Sequence, residues 1–282
     1  MLSGLATALA CAALSPIIVA RRWAFVGEGV GHSSYGGAGL VWLAAACFPA
    51  VEALQSPGAT AIGTLVATLI VALGIGRLGA GHGHGDADRR VGFDTAVGIF
   101  LVASLAVGFL ARQAFVARFN RAPTRADALL FGAAGGVEPA EAIAAGLVAL
   151  AVVAGLWLYR REVLAWTFDP QLAELNGVRS PLVRDALLIA IALTVATGAR
   201  VIGAVLVTGL LVLPGATAAL AARRPGQAWA IAAVLALLAT ALPAALLHWA
   251  ALAPRAPLGP VVVLLLTVAF ITVRLARRRS IA

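Results

Sequence analysis

Long, almost unbroken apolar runs recur along the whole chain, and they limit its possible folds more than any other feature. Two examples are Ala186–Ala196 and Ala228–Leu242, each interrupted by a single threonine. A helix needs about 20 mostly apolar residues to cross a bilayer, and 62% of the 282 residues are apolar. The runs lack the alternation of membrane β-barrel strands. The sequence therefore predicts an all-α, polytopic integral membrane bundle and excludes a soluble globular enzyme, a disordered chain and a disulfide scaffold.

The runs divide the chain into about eight or nine predicted membrane spans, forming a single transmembrane domain over residues 1–282. The nine predicted spans are Leu2–Ala20, Ala24–Ala46, Thr60–Gly76, Phe93–Ala111, Pro139–Tyr159, Pro181–Gly198, Val201–Ala222, Gln227–Trp249 and Leu258–Val273. The sixth and seventh are separated by a tight turn that we place near Ala199–Arg200. Merging these two spans would give eight.

The positive charge indicates orientation in a membrane. The net charge is +9, all 21 basic residues are arginine, and most of them lie at the ends of apolar runs. Four arginines between Arg274 and Arg279 follow the last span, which places the C-terminus in the cytoplasm by the positive-inside rule. This distribution argues for a membrane lipid environment and against nucleic-acid binding. A P-loop needs a lysine, so any ATP would be hydrolysed by a different subunit.

Glu28 and His32 form the candidate metal site. They are four residues apart in the second predicted span, and this spacing places both side chains on one helix face. An ionisable residue inside a span is costly and indicates function. A carboxylate and an imidazole suit Zn²⁺, Mn²⁺ or Fe²⁺. A two-fold dimer would bring two such pairs together. The alternative is a buried Glu–His hydrogen bond that locks helix contacts.

The many small residues around this pair, including Gly27 and Gly31, predict close helix packing and room for an ion path. A second, weaker metal candidate is the pair His82 and His84, in a glycine-rich segment between two spans. The alternative interpretation of this segment is a solvated loop.

A short helix is predicted on the cytoplasmic side, after Arg160 and Arg161. Asp169 is a favourable N-cap, Pro170 fits the first helical position, and Gly177 fits the position that ends the helix. A helix of about two turns is marginal alone, so a partner protein is expected to pack against it. The alternative is a helix that lies on the membrane surface.

Six segments together resemble the permease subunit of the zinc/manganese-type metal-ion ABC importers, in order and over nearly the whole chain. They are Arg21–Glu28 with His32, Asp94–Ile99, Leu129–Gly132, Asp169–Gly177, Val201–Ala204 and Leu211–Ala218. The chain departs from the pattern at Glu28, where the family usually has Asp. It also departs at Arg255–Gly259, which carries a basic residue where the family has an external acidic one.

The resemblance implies a type II ABC importer permease in the bacterial inner membrane. It implies a homodimer with two cytoplasmic ATPases, an extracytoplasmic metal-binding protein, and a transported metal rather than a permanent cofactor. Glu28 and His32 would lie on the ion path. A coupling segment over about residues 163–180 would contact the ATPase, through Phe168, Asp169, Pro170, Ala173 and Gly177.

Two other functions remain open at this point. A permease for siderophores or vitamins on a related scaffold would favour an uncharged cavity wall over a Glu–His pair. An intramembrane metalloenzyme would need a ligand set such as H-E-x-x-H, and the sequence around His32 contains no second histidine.

Overall fold

The structure, a computed structural model, describes residues 2–48, 54, 56–79, 92–123, 137–249 and 258–279. In these ranges the chain forms helices and no strands, and each of the nine predicted spans coincides with one long helix, which confirms the all-α bundle. The helices are α1 (Leu2–Ala20), α2 (Ala24–Cys47), α3 (Pro57–Gly79), α4 (Phe93–Phe119), α5 (Pro139–Leu158), α6 (Arg160–Phe168), α7 (Pro170–Leu175), α8 (Ser180–Ile202), α9 (Ala204–Ala221), α10 (Pro225–Trp249) and α11 (Leu258–Arg279).

Among the described helices, eight are long and apolar enough to cross a membrane, and α2 is not among the eight. At 24 residues α2 has the length of a span, but its glycines, serines, Glu28 and His32 make it too polar. The bundle shields α2, because α3, α4, α8 and α9 all pack against it. The long helix that carries Glu28 and His32 is therefore packed against four others, as expected where polar groups must be kept away from lipid.

Helix α1 lies in the centre of the bundle and contacts α5, α8, α9 and α10. Two long-range hydrogen bonds fix it there. The backbone N–H of Gly215 donates to Ser15 Oγ at 2.7 Å, and Trp229 Nε1 donates to the carbonyl oxygen of Ala13 at 3.0 Å. Gly215 follows Pro214 inside α9. Because a proline disturbs the regular helical hydrogen bonds around it, Ser15 supplies an alternative partner at this point.

The turn between the sixth and seventh spans was predicted a few residues too early. Ala199 and Arg200 are helical, α8 continues to Ile202, and the chain reverses at Gly203. Gly203 has φ 88°, which favours glycine over residues that carry a Cβ. Arg200 lies in the last turn of α8, and its Nη2 is 2.6 Å from Glu141 Oε1 at the start of α5. This arginine at the predicted external end is thus neutralised by a buried carboxylate.

The fourth span was predicted too short. Helix α4 continues past Ala111, the predicted end of the span, to Phe119. Its additional turns are held by packing, since buried Phe115 lies 4.6 Å from Phe119 between ring centroids and belongs to a cluster with Tyr35 and Trp42 of α2. Asn120 ends the helix with φ 51°, a conformation that asparagine tolerates.

Helices α2 and α3 approach most closely at Gly37. A Cβ at this position would lie 2.5 Å from the Ala67 Cβ and against the Gly63 carbonyl oxygen. We predict that Gly37→Ala destabilises the protein by about 1–3 kcal/mol, the usual penalty for overpacking, measured as a lower midpoint of thermal unfolding in detergent. Gly98→Ala is the control, because a Cβ at Gly98 meets nothing within 4 Å. Equal midpoints for the two variants would contradict this packing.

Candidate metal centre and coupling segment

Glu28 and His32 lie together on α2, as predicted. His32 Nε2 is 3.5 Å from Glu28 Oε1, and the side chains are 23% and 49% exposed respectively. At 1.5 Å per residue, they lie about 6 and 12 Å along the helix from its first residue, Ala24. The pair is therefore in the N-terminal half of α2, and both side chains are partly exposed in the protomer.

The separation of the two side chains suits a shared metal ion. Zinc binds imidazole nitrogen and carboxylate oxygen at about 2.0–2.2 Å, so two tetrahedral ligands lie about 3.3–3.5 Å apart. The observed 3.5 Å between His32 Nε2 and Glu28 Oε1 matches that value. The other ring nitrogen, His32 Nδ1, is buried without a hydrogen-bond partner in the part of the chain that is described. An orphaned buried polar atom marks a place where a water or an ion completes the structure.

The described residues of the protomer supply two ligands at this site rather than four. Within the described ranges, no group of three or more His, Cys, Asp or Glu side chains could hold a metal. Cys11 is buried and Cys47 is exposed, and neither is in a disulfide. A complete coordination shell at Glu28 and His32 therefore needs ligands from beyond the described residues of this protomer, such as water or another chain.

The glycines next to the pair allow close packing, as predicted, but they do not leave open space. A Cβ on Gly27 would meet Leu211 at 3.0 Å, and one on Gly31 would meet Thr208 at 3.2 Å, both on α9. The glycines thus place α9 directly beside the pair. The expected room for an ion path is not found at these glycines. The exposed side chains of Glu28 and His32 mark the side on which such a path would have to run.

Two other predicted features lie outside the described residues. They are the pair His82 and His84, and the external segment that contains Arg255. The resemblance motif Leu129–Gly132 is also outside these residues.

The predicted short helix is present as α7, and its local chemistry is as expected. Asp169 accepts hydrogen bonds from the backbone N–H groups of Gln171 and Leu172, both at 3.0 Å. Pro170 is the first helical residue, and Gly177 has φ 83°. The N–H of Gly177 donates to Glu174 O and that of Val178 to Ala173 O, which is the Schellman pattern. This six-residue helix is thus capped at both ends.

The outward face of this segment is apolar. Phe168 is 70% exposed and Leu175 85%, and Leu172 is also exposed. Ala173 is 2% exposed, so it anchors α7 in the protein and cannot be a direct contact for a partner. The sequence analysis did not identify Leu172 and Leu175 as candidate contacts. They are three residues apart on a helix with one buried position, and this spacing indicates that both can lie on its outward face.

A second helix, α6, was not predicted, and it connects the short helix to α2. Buried Trp166 of α6 lies 5.6 Å from Trp23 between ring centroids, and Trp23 stacks on Phe93 of α4 at 5.3 Å. The guanidinium of Arg21 lies 4.4 Å above the Trp166 ring. We call these four residues the aromatic link. Trp23 directly precedes α2, so the aromatic link joins the coupling segment to the helix that carries Glu28.

Comparison with known proteins places these features in a family context. The model of the ABC 3 transport family matches residues 1–277. The chain is 27% identical over 220 residues to a protein of Haemophilus influenzae named a probable iron transport system membrane protein, covering 77% of this chain and 72% of that protein. It is 28% identical over 237 residues to the high-affinity zinc uptake system membrane protein ZnuB of the same organism, covering 82% and 80%.

A solved structure shares the fold. PsaBC from Streptococcus pneumoniae in complex with Fab aligns with a TM-score of 0.74 and 21% sequence identity, covering 96% of this chain and 88% of that chain.

Proposed function

The chain belongs to the ABC 3 transport family, and from this membership we propose that it is the permease subunit of an importer for divalent transition-metal ions. The observation that carries the proposal is the Glu28–His32 pair, with a nitrogen and an oxygen 3.5 Å apart on a long helix inside the bundle. Relatives named for zinc and iron transport support the same class of substrate. One carboxylate and one imidazole suit Zn²⁺, Mn²⁺ and Fe²⁺ alike.

The proposed orientation places the C-terminus and the coupling segment in the cytoplasm of a bacterial inner membrane. Two groups of arginines support this orientation. They are the cluster from Arg274 to Arg279 and the pair Arg160 and Arg161 at the start of α6. The Glu28–His32 pair then lies in the cytoplasmic half of α2. Metal would reach it from the other side, delivered by an extracytoplasmic metal-binding protein.

The functional unit is proposed to be a homodimer. Each described protomer offers two ligands at this site, and a two-fold axis beside α2 would supply the second pair. The side of α2 that is open in the protomer carries Phe25, Glu28 and Leu40, an apolar frame around one charged group. Such a surface suits contact with a second copy around a central path.

ATP hydrolysis is proposed to take place in separate ATPase subunits. The chain has no lysine, so it lacks the residue that a P-loop uses on the β- and γ-phosphates. Phe168, Leu172 and Leu175 are the proposed contact with the ATPase, since Leu172 and Leu175 are exposed on the capped helix α7 and Phe168 is exposed at the end of α6, just before it. Closure of the ATPases would then move α7 and α6 together.

The aromatic link is the proposed route from the ATPase to the metal site. Trp166 contacts both Arg21 and Trp23, which lie in the break between α1 and α2. Trp23 is five positions before Glu28 in the chain. A displacement of α6 would therefore shift the first turns of α2, where the metal ligands lie. Conformational gating of this kind is how transport is coupled to the ATPase cycle in this proposal.

The alternative, a permease for siderophores or vitamins, is less well supported. A bulky uncharged substrate gains little from a carboxylate and an imidazole that are held close together in the membrane. The metal-ion interpretation uses both groups.

The test is ATP-dependent uptake into vesicles that contain the permease with its ATPase. We predict accumulation of free Zn²⁺, Mn²⁺ or Fe²⁺ that requires ATP and the metal-binding protein, and that saturates with the preferred ion. Each metal is supplied alone and as a tight organic chelate. Uptake of the chelate but not the free ion would favour the alternative substrate class.

A further inference from the structure

A deep groove runs between α5 and α8 on the outside of the bundle. Its volume is about 750 Å³, which is within the range of sites that bind small molecules. Its walls are mostly apolar and include Val152, Leu187 and Ile189, and it ends at Ala151 on α5 and Leu193 on α8. None of the residues of the metal site or the aromatic link lines it.

Polar groups are confined to one end of this groove. Glu162 of α6 and Arg179, the residue before α8, both line that end together with Tyr159 and Asn176. In the described part of the chain, neither Glu162 nor Arg179 takes part in an ion pair or a side-chain hydrogen bond. A free carboxylate and a free guanidinium are therefore presented at the mouth of an apolar channel.

The length of the groove fits one leaflet of a bilayer. From Arg179 to Leu193 it extends about 21 Å along α8, and from Tyr159 back to Ala151 about 12 Å along α5, at 1.5 Å per residue. Half of a hydrocarbon core is about 15 Å thick. The polar mouth lies beside Arg160 and Arg161, at the level where lipid headgroups meet water in the proposed orientation.

We propose that this groove is a binding site for one phospholipid with a zwitterionic ethanolamine headgroup. An acyl chain lies between α5 and α8, the phosphate binds the Arg179 guanidinium, and the ammonium binds the Glu162 carboxylate. The charges at the mouth select this headgroup, since a purely anionic lipid would leave Glu162 unpaired beside a negative phosphate. The mouth is built from α6 and the turn that follows α7, so the lipid supports the base of the coupling segment.

Glycines of α5 provide a matched pair of variants for the test. A Cβ on Gly155, which lines the groove, and a Cβ on Gly146, which is on the same helix outside it, both meet nothing within 4 Å. Gly155→Phe places a ring in the groove, whereas Gly146→Phe places the same ring elsewhere on α5. The full-length purified permease is equilibrated with equal amounts of phosphatidylethanolamine and phosphatidylglycerol, and the lipid that stays bound is measured by native mass spectrometry.

The wild-type protein and Gly146→Phe are expected to retain about one phosphatidylethanolamine per chain, and Gly155→Phe about tenfold less. Glu162→Gln keeps the fold and should reduce the preference for ethanolamine over glycerol headgroups by about tenfold, the effect of a hydrogen bond to a charged group. Equal retention by the two glycine variants would overturn the proposal. So would equal retention of both lipids by the wild type, or a change of oligomeric state on Gly155→Phe without bound lipid, which would mean that a second copy covers the groove.

Discussion

Replacing both Glu28 and His32 by alanine is expected to lower ATP-dependent metal uptake at least a hundredfold. Loss of even an outer-shell partner of a metal ligand costs about 10–100-fold in affinity or activity, and this variant removes both members of the proposed ligand pair. The two side chains are partly exposed in the protomer, so their removal leaves no large cavity, and assembly with the ATPase should be normal. The measurement is isotope uptake into vesicles, with the amount of assembled complex determined in parallel.

The control for this variant is Cys47→Ala, which removes a potential metal ligand from the other end of α2. Cys47 is exposed and unpaired, and its loss should leave uptake unchanged. Glu28→Asp should retain uptake but alter the order of preference among metals, because it keeps the ligand type and shortens its reach. Normal uptake by the double alanine variant would refute the assignment of the metal site.

Trp166→Ala is expected to separate ATP hydrolysis from transport. The ring is 3% exposed and contacts both Arg21 and Trp23, so its removal disconnects α6 from the start of α2. Uptake should fall about tenfold or more, while the ATPase, with its proposed contact at Phe168, Leu172 and Leu175, continues to hydrolyse ATP. The measured quantity is the number of metal ions transported per ATP, since a merely structural role would lower both rates together.

Truncation of a buried tryptophan can cost about 3–5 kcal/mol of stability. Two further variants therefore separate a loss of coupling from a loss of stability. Trp166→Leu keeps an apolar side chain at this position but offers no ring to Arg21, and it should show the same low transport per ATP. Trp166→Phe keeps a ring and should recover most of the coupling. Trp157→Ala, in an exposed position on α5, is the control. An unchanged ratio in Trp166→Leu would contradict the aromatic link.

Local chemistry explains which parts of this structure could be predicted from the sequence. The apolar runs located all nine long helices because a bilayer requires about 20 apolar residues in one helix. Asp169, Pro170 and Gly177 defined α7 because capping depends on neighbours within a few residues. The spacing of Glu28 and His32 placed both on one face for the same reason.

The remaining features depend on contacts between distant residues. The reversal at Gly203 lies between apolar residues on both sides, so composition gave no signal for its position. The end of α4 is set by Phe115, which packs with residues of α2. The aromatic link joins Trp23 to Trp166, which are 143 positions apart in the sequence. None of these contacts leaves a periodic pattern in the sequence.

The assignment of Glu28 and His32 as metal ligands is tested most directly by X-ray absorption at the zinc edge. The sample is purified permease loaded with one Zn²⁺ per two chains. His82 and His84 are replaced by asparagine beforehand, so that His32 and His248 are the histidines that remain. We predict a mixed shell of oxygen and nitrogen ligands at about 2.0–2.2 Å from the zinc, with outer-shell scattering from imidazole. The imidazole scattering should disappear in His32→Ala. An all-oxygen shell, or imidazole scattering that persists in His32→Ala, would contradict the assignment.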